Sequence, residues 1–133
     1  LPKKPKTIKE LHDLFTLESM KIKQPNNSLN QNLDHLQDQK IGDFKIFVPG
    51  TSKHLIEIGS QMNICVGNGY YAKQILNKRC NIIALTKGNQ FKYCVQFNKK
   101  HIMQARGCCN REMDHTLISL LNDIIFSSQE QCA

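Results

Sequence analysis

Asn81-Ile82-Ile83-Ala84-Leu85-Thr86, Phe91-Lys92-Tyr93-Cys94-Val95-Gln96-Phe97 and His101-Ile102-Met103-Gln104-Ala105-Arg106 are three strand-like runs. Only Lys87-Gly88-Asn89-Gln90 and Asn98-Lys99-Lys100 separate them. The runs are rich in β-branched and aromatic residues, and the separators carry turn-forming Gly and Asn. Connections this short join antiparallel neighbours, so the three runs predict an up-down β-meander. A three-residue second loop sets Cys94 opposite Gln104, Lys92 opposite Arg106 and Val95 opposite Met103. On that register Tyr93, Val95, Phe97, Met103 and Ala105 form an apolar face. Lys92, Cys94, Gln96, Gln104 and Arg106 share the other, along with Ile83, Leu85 and Ile102.

Upstream of the meander, Phe44, Ile46 and Val48 alternate with Lys45 and Phe47 and stop at Pro49-Gly50, which predicts a fourth strand over 44–48. Ser52 is placed to cap a helix whose Leu55, Ile58 and Met62 follow the 3.6-residue period. The turn Cys65-Val66-Gly67-Asn68-Gly69 leads into a second helix with Tyr70, Tyr71, Ile75 and Leu76, its glycines freeing the backbone near Cys65. Further upstream, Thr7-Ile8-Lys9-Glu10 is a capping box opening a helix to about Ser19. The Asn/Gln-rich stretch 23–42 reads as a loop, with Leu29, Leu33 and Leu36 suggesting a short helix after Ser28. Downstream, Asn110 or Asp114 can cap a last helix carrying Leu117, Leu120, Leu121, Ile124 and Ile125, followed by a frayed tail over 127–133. The expected fold is a single α+β domain over 1–133, with the antiparallel meander packed against about four helices.

At 133 residues, 40% apolar and 22% charged, the chain has the size and composition of one folded domain. No apolar run approaches the roughly 20 residues that cross a bilayer, and no apolar segment follows the basic amino terminus as a secretory signal requires. Six cysteines, with Cys80 and Cys94 inside apolar strands, fit free thiols in a reducing cytoplasm better than a disulfide scaffold. The pair Cys108-Cys109 does not match structural zinc spacing, and neither a metal nor another cofactor is expected. A chain beginning at Leu1 rather than methionine is expected to be excised or processed from a longer one.

The net charge of +7 is unevenly placed. No acidic residue lies between Glu57 and Glu112, while that interval holds Lys73, Lys78, Arg79, Lys87, Lys92, Lys99, Lys100, Arg106 and Arg111. A one-signed field of this kind favours an anionic partner, with Tyr70 and Tyr71 offering stacking surfaces beside it. Lys73, Lys78, Arg79, Lys92, Lys99, Lys100, Arg106 and Arg111 are the candidate nucleic-acid contacts, and Lys3, Lys4, Lys6 and Lys9 could extend them as an arm. No motif for base recognition accompanies them, so contacts are expected to fall on phosphates, with steep salt dependence.

Two polar segments stand out: Cys65 with the glycine turn and tyrosines after it, and Gln104-Ala105-Arg106-Gly107-Cys108-Cys109-Asn110. On these residues the chain resembles the PcfJ-like family, proteins encoded by conjugative plasmids, related mobile elements and phages. The likeness runs from Pro5-Lys6-Thr7-Ile8-Lys9-Glu10-Leu11-His12-Asp13 through Ile56-Glu57-Ile58-Gly59 and Cys65-Val66-Gly67 to Gln104-Ala105-Arg106-Gly107 and Asn110. It implies a domain associated with DNA transfer or its regulation, and a motif site of Cys65, Gly67, Tyr70, Tyr71, Gln104, Arg106, Gly107 and Asn110. Relatives carry histidine just before the cysteine where this chain has Ile64, a departure that argues against a Cys/His pair.

Three functions follow as expectations. The first is a non-catalytic nucleic-acid module of a mobile element, with a ribonucleoprotein or larger protein complex as its setting. The second is an enzyme around Cys65 and Arg106, either cysteine-dependent, with Cys65 the candidate catalytic thiol, or a nuclease. The third is a protein-interaction domain docking an acidic partner. Against the enzyme stands a simpler role for the same residues: Cys65 buried beneath the turn, Gly67 and Gly69 serving backbone geometry, and Arg106 and Asn110 fixing the last helix.

Overall fold

The computed structural model describes residues 26–131. The capping-box helix and the lysines at 3, 4, 6 and 9 lie outside that range. Five strands form one antiparallel sheet in sequential order: β1 (Lys40–Ile41), β2 (Phe44–Phe47), β3 (Asn81–Lys87), β4 (Gln90–Phe97) and β5 (Ile102–Gly107). Helices α1 (Ser52–Met62) and α2 (Tyr70–Leu76) join β2 to β3, and α3 (His115–Gln131) follows β5. The architecture is therefore α+β, with three α-helices among the described residues. To the fourth strand read from the sequence it adds a two-residue fifth, β1.

The sheet separates two cores. On one face Ile46, Ile83, Leu85, Val95, Phe97 and Ala105 pack with Leu33, Leu36, Ile41, Met113 and, from α3, Leu121 and Ile125. On the other, Ile82, Ala84, Cys80 and Cys94 pack with Leu29, the α1 residues Leu55, Ile58 and Met62, Val66, and the α2 residues Ala72 and Ile75. Burying each large aliphatic side chain contributes ~2 kcal/mol, so helices cover both faces because both carry a continuous apolar set.

Several expectations change with the observed register. The β3–β4 turn is only Gly88-Asn89, with Gly88 at φ 62°, and it pairs Lys87 with Gln90. Ile83 then faces Val95, and Leu85 faces Tyr93, so both belong to the apolar face rather than with Lys92 and Gln104. The second hairpin is longer than three residues. Asn98 N–H donates to the His101 carbonyl at 3.1 Å, while the Asn98 carboxamide accepts the Lys100 and His101 amides at 2.8 and 3.0 Å. Cys94 consequently opposes Arg106, Val95 opposes Ala105 and Gln96 opposes Gln104, two residues away from the expected pairing. A shift of two keeps every side chain on its face, which is why Cys94, Gln96, Gln104 and Arg106 still point together. Bulges break the pattern twice, between β3 and β4, where Leu85 opposes Tyr93 and Thr86 opposes Phe91 so that Lys92 is extra, and between β4 and β5. Phe97 opposes Ile102, so Met103 is the extra residue and lies 44% exposed, while Ile102 packs against the core of Val95 and Phe97.

The segment read as a short helix after Ser28 is not helical. Asn30 and Asn32 take left-handed φ of 50° and 59°, and Leu29 N–H donates to Gly50 O at 3.0 Å. The 29/33/36 spacing imitates a helical stripe, yet Leu29 enters one core while Leu33 and Leu36 enter the other. Ser52 is not the α1 cap either: Thr51 holds that position, and the Ser52 hydroxyl accepts the Asn27 amide at 2.9 Å. Of the two caps offered for the last helix, Asp114 serves, its carboxylate accepting Thr116 N–H at 3.2 Å. α3 runs through Gln131. No helix among the described residues is long and apolar enough to cross a membrane.

A polar cleft and an adjoining basic groove

A small cleft opens between the polar face of β4 and β5 and the segment that joins α1 to α2. Its floor is Ile82, Cys94, Gln96, Gln104 and Arg106, its wall Ile64, Cys65, Val66 and Tyr71, and its rim Asn110. Segments distant in sequence thus meet around a space of about 70 Å³.

The wall owes its position to how α1 ends. Asn63 adopts the left-handed conformation at φ 56°, which asparagine tolerates, and the chain reverses with Ile64 N–H donating to Gly59 O at 3.1 Å. Cys65–Gly67 then forms a single 3-10 turn seated directly on α1. A Cβ on Gly67 would lie 2.7 Å from Ile56 Cα, and one on Gly59 would lie 2.9 Å from Ile64 O. Gly67 therefore permits close backbone approach rather than an unusual φ; Gly69, at φ 92°, supplies the backbone freedom. Asn68 accepts Tyr70 N–H at 3.0 Å to start α2. Tyr70 stands 57% exposed with its ring edge-on to Tyr71 at 5.2 Å, and Tyr71 turns into the cleft.

Cys65 is exposed at the cleft, not buried beneath the turn. Cys94, in the floor, is the opposite case: burial pushes its thiol up to about 12, so it stays protonated and inert at neutral pH. Burial also raises the Cys80 thiol, with a hydrogen bond from Gln96 acting against it. Tyr71 is held above the ordinary tyrosine value by burial first and by Cys65, Tyr70, Cys94 and Cys80 after it, which keeps its hydroxyl neutral. Among the described residues, Arg106 is then the formal charge in the lining, which it shares with the amides of Gln96, Gln104 and Asn110. No described histidine lines the cleft; His54, for example, accepts the Gly50 amide at 3.1 Å and packs edge-on to Phe47.

Arg106 has an acidic neighbour outside that lining. After β5 the chain turns through Cys108–Asn110 and returns, with Gly107 N–H donating to Arg111 O at 2.6 Å and Met113 N–H to Ala105 O at 3.4 Å. The return sets Glu112 beside Arg106, 3.7 Å from carboxylate oxygen to guanidinium nitrogen. With Glu112 83% exposed the pair is solvent-screened, and an incoming anion can compete for the arginine.

On the far side of the returning segment lies an open groove of about 620 Å³, lined by Phe44, Lys87, Gln90, Lys92, Tyr93, Gly107, Cys108, Arg111 and Glu112. The other cations of the basic interval sit elsewhere. Lys99 and Lys100 are in the β4–β5 turn, and Lys78 and Arg79 lead into the start of β3, all at the opposite end of strands roughly 20 Å long at about 3.3 Å per residue. The Lys78 ammonium donates to Asn30 O at 3.3 Å, and Lys73 lies on α2. Eight of the nine cations of the basic interval therefore fall at the two ends of the strands, four of them at the cleft and groove.

A family model described as PcfJ-like protein matches residues 2–119. The chain belongs to the PcfJ-like family. No curated protein and no solved structure matches it. In this PcfJ-like chain the motif residues Cys65, Tyr71, Gln104, Arg106 and Asn110 line one cleft, Gly67 seats its wall, Tyr70 flanks Tyr71, and Gly107 begins the segment dividing cleft from groove. Gln96, Tyr93 and Phe44 were not singled out as site residues from the sequence. The alternation that places Gln96 between Cys94 and Gln104 on one face was a sufficient signal for the first; nothing local marks the other two.

Proposed function

We propose that this PcfJ-like domain is a nucleic-acid-associated module of a mobile genetic element that holds phosphate backbone without catalysis. The observation carrying this reading is the adjacency of Arg106, in a cleft with no carboxylate among its described lining residues, to the groove bearing Lys87, Lys92 and Arg111. The cleft suits a single anionic group, held by a guanidinium and flanking amides, while the groove suits the chain attached to it. Each phosphate neutralised releases counterions, so affinity for a single-stranded oligonucleotide is expected to fall steeply from low to physiological salt. Lys92→Glu combined with Arg111→Glu should weaken binding and lower the slope of log affinity against log salt by about 2, one for each cation removed. Lys99→Glu with Lys100→Glu, at the other end of the sheet, should do markedly less. Titrations by fluorescence anisotropy check this; no binding at low salt, or equal loss in both double variants, overturns the reading.

The exposed Cys65 thiol facing the same cleft as Arg106 supports a second reading, a cysteine-dependent transferase or hydrolase. It requires that iodoacetamide at neutral pH label Cys65 well ahead of Cys94 and abolish a turnover that Cys65→Ser also lacks. Nucleic-acid binding unchanged in Cys65→Ser, with no turnover to lose, favours the first reading.

A further inference from the structure

We propose that Cys108 and Cys109 are a redox site, closing reversibly into a vicinal disulfide by exchange with a small-molecule disulfide and moving Asn110 at the cleft rim as they do so. Neighbouring side chains ordinarily diverge, but here Cys109 takes left-handed φ 61° and ψ 32° and Asn110 follows at φ 65°. The result is two exposed thiols with their sulfurs 3.3 Å apart. They are close enough that the second step of an exchange needs no search through space. The hydrogen bond shared between the two sulfurs raises the Cys108 thiol, while the charges of Arg111 and Lys92 act the other way and favour thiolate. Among the described residues no group of three or more His, Cys, Asp or Glu is arranged to hold a metal, so two-thiol chemistry is what the pair offers.

The exchange balances in two displacements. One cysteine, as thiolate, attacks a sulfur of the small disulfide RSSR, forming a mixed disulfide and expelling RS⁻, which takes up a proton. The second cysteine loses its proton to solvent, attacks the protein-side sulfur and expels the other RS⁻. Two protein thiols and RSSR become one protein disulfide and two RSH, with two electrons passing to the small molecule. Adjacent Cα atoms lie about 3.8 Å apart, below the ~4.4–6.8 Å span of relaxed bridges, so the ring is strained and easily reduced. Strain of that kind makes the bridge a reversible state rather than a structural staple.

Closure reaches the cleft through the backbone. The Cys109 sulfur accepts a weak contact from Asn63 Nδ2 at 3.8 Å, and Arg111 N–H donates to Cys108 O at 3.3 Å. Drawing the two sulfurs together pulls Cys109 from Asn63 and rotates the peptide that carries Asn110. This inference stands independently of nucleic-acid binding, because its readouts are covalent and local.

Trypsin releases Gly107-Cys108-Cys109-Asn110-Arg111 as one peptide, which makes the test direct. The full chain is treated with oxidised glutathione, alkylated, digested and weighed. The expected peptide lacks two hydrogens, carries no alkyl label, and regains two labels after dithiothreitol. Cys108→Ser and Cys109→Ser should each stop at a mixed disulfide with glutathione. Amide NMR shifts of Asn110 and Arg111 should move on oxidation of the wild type and return on reduction. A wild-type peptide that stays fully alkylated, or that ends glutathionylated or bridged to Cys65, overturns the redox site; closure without a shift at Asn110 overturns the coupling.

Discussion

Gln31→Ala is expected to destabilise the domain by ~3 kcal/mol, although the residue sits in a stretch that reads as polar loop. Its side chain is 9% exposed and stands in for a missing strand. The carboxamide donates to Ile82 O at 2.8 Å and to Pro49 O at 3.1 Å, and accepts Ile82 N–H at 2.7 Å. β2 pairs with β3 only as far as Phe47 opposite Ala84, so on that side the Ile82 backbone meets Gln31 in place of a strand. Truncation orphans one buried donor and two acceptors, each costing ~1–3 kcal/mol less whatever water recovers. Urea unfolding checks the figure, and a loss under about 0.5 kcal/mol, the scale of ordinary surface changes, would sink it. Gln31→Glu adds a sign test: a carboxylate still accepts from Ile82 N–H but opposes two carbonyls. Its destabilisation should ease as the pH falls and the side chain regains a donor.

Gln31 also shows where sequence reading stops. The three meander strands were legible because alternation and turn residues are local signals, and 44–48 was legible for the same reason. β1 was not, since two residues, Lys40 and Ile41, carry no periodicity. Leu29, Leu33 and Leu36 misled because a helix and a chain threading between two cores place leucines at similar intervals. Only the left-handed asparagines at 30 and 32 distinguish the cases.

The site divides the same way. Cys65, Gln104, Arg106 and Asn110 drew notice as residue types in two short segments, but their meeting depends on a register set by the Asn98 carboxamide and on the Gly59–Gly67 approach. Neither is visible in one dimension. Charge was the least transferable signal. An interval without carboxylates does not make a surface without them, because antiparallel strands carry successive cations to opposite ends and a tight return brings Glu112 to Arg106. What survives is a smaller claim about Lys87, Lys92, Arg106 and Arg111 at one end of the sheet.

The same glycine contact yields a second large effect, at Gly67→Ala. The added methyl would meet Ile56 Cα at 2.7 Å, Leu55 O at 3.2 Å and Ile56 N at 3.3 Å, all backbone of α1 and none of it able to swing aside. Overpacking against backbone costs ~3 kcal/mol, which lowers the melting temperature of a domain this size by ~10 °C. Relief requires the Cys65–Gly67 turn to lift off α1, carrying Cys65 and Val66 with it and widening the cleft. Gly88→Ala separates this mechanism from generic glycine sensitivity. Gly88 has φ 62°, but a Cβ there would find nothing within 4 Å, so alanine meets only left-handed strain of ~1 kcal/mol. Thermal melts should rank Gly67→Ala well below Gly88→Ala, and iodoacetamide should label Cys65 faster in the first alone. Equal melting temperatures for the two variants would mean that the turn is not wedged against α1, and the seating proposed for the cleft wall would fall with it.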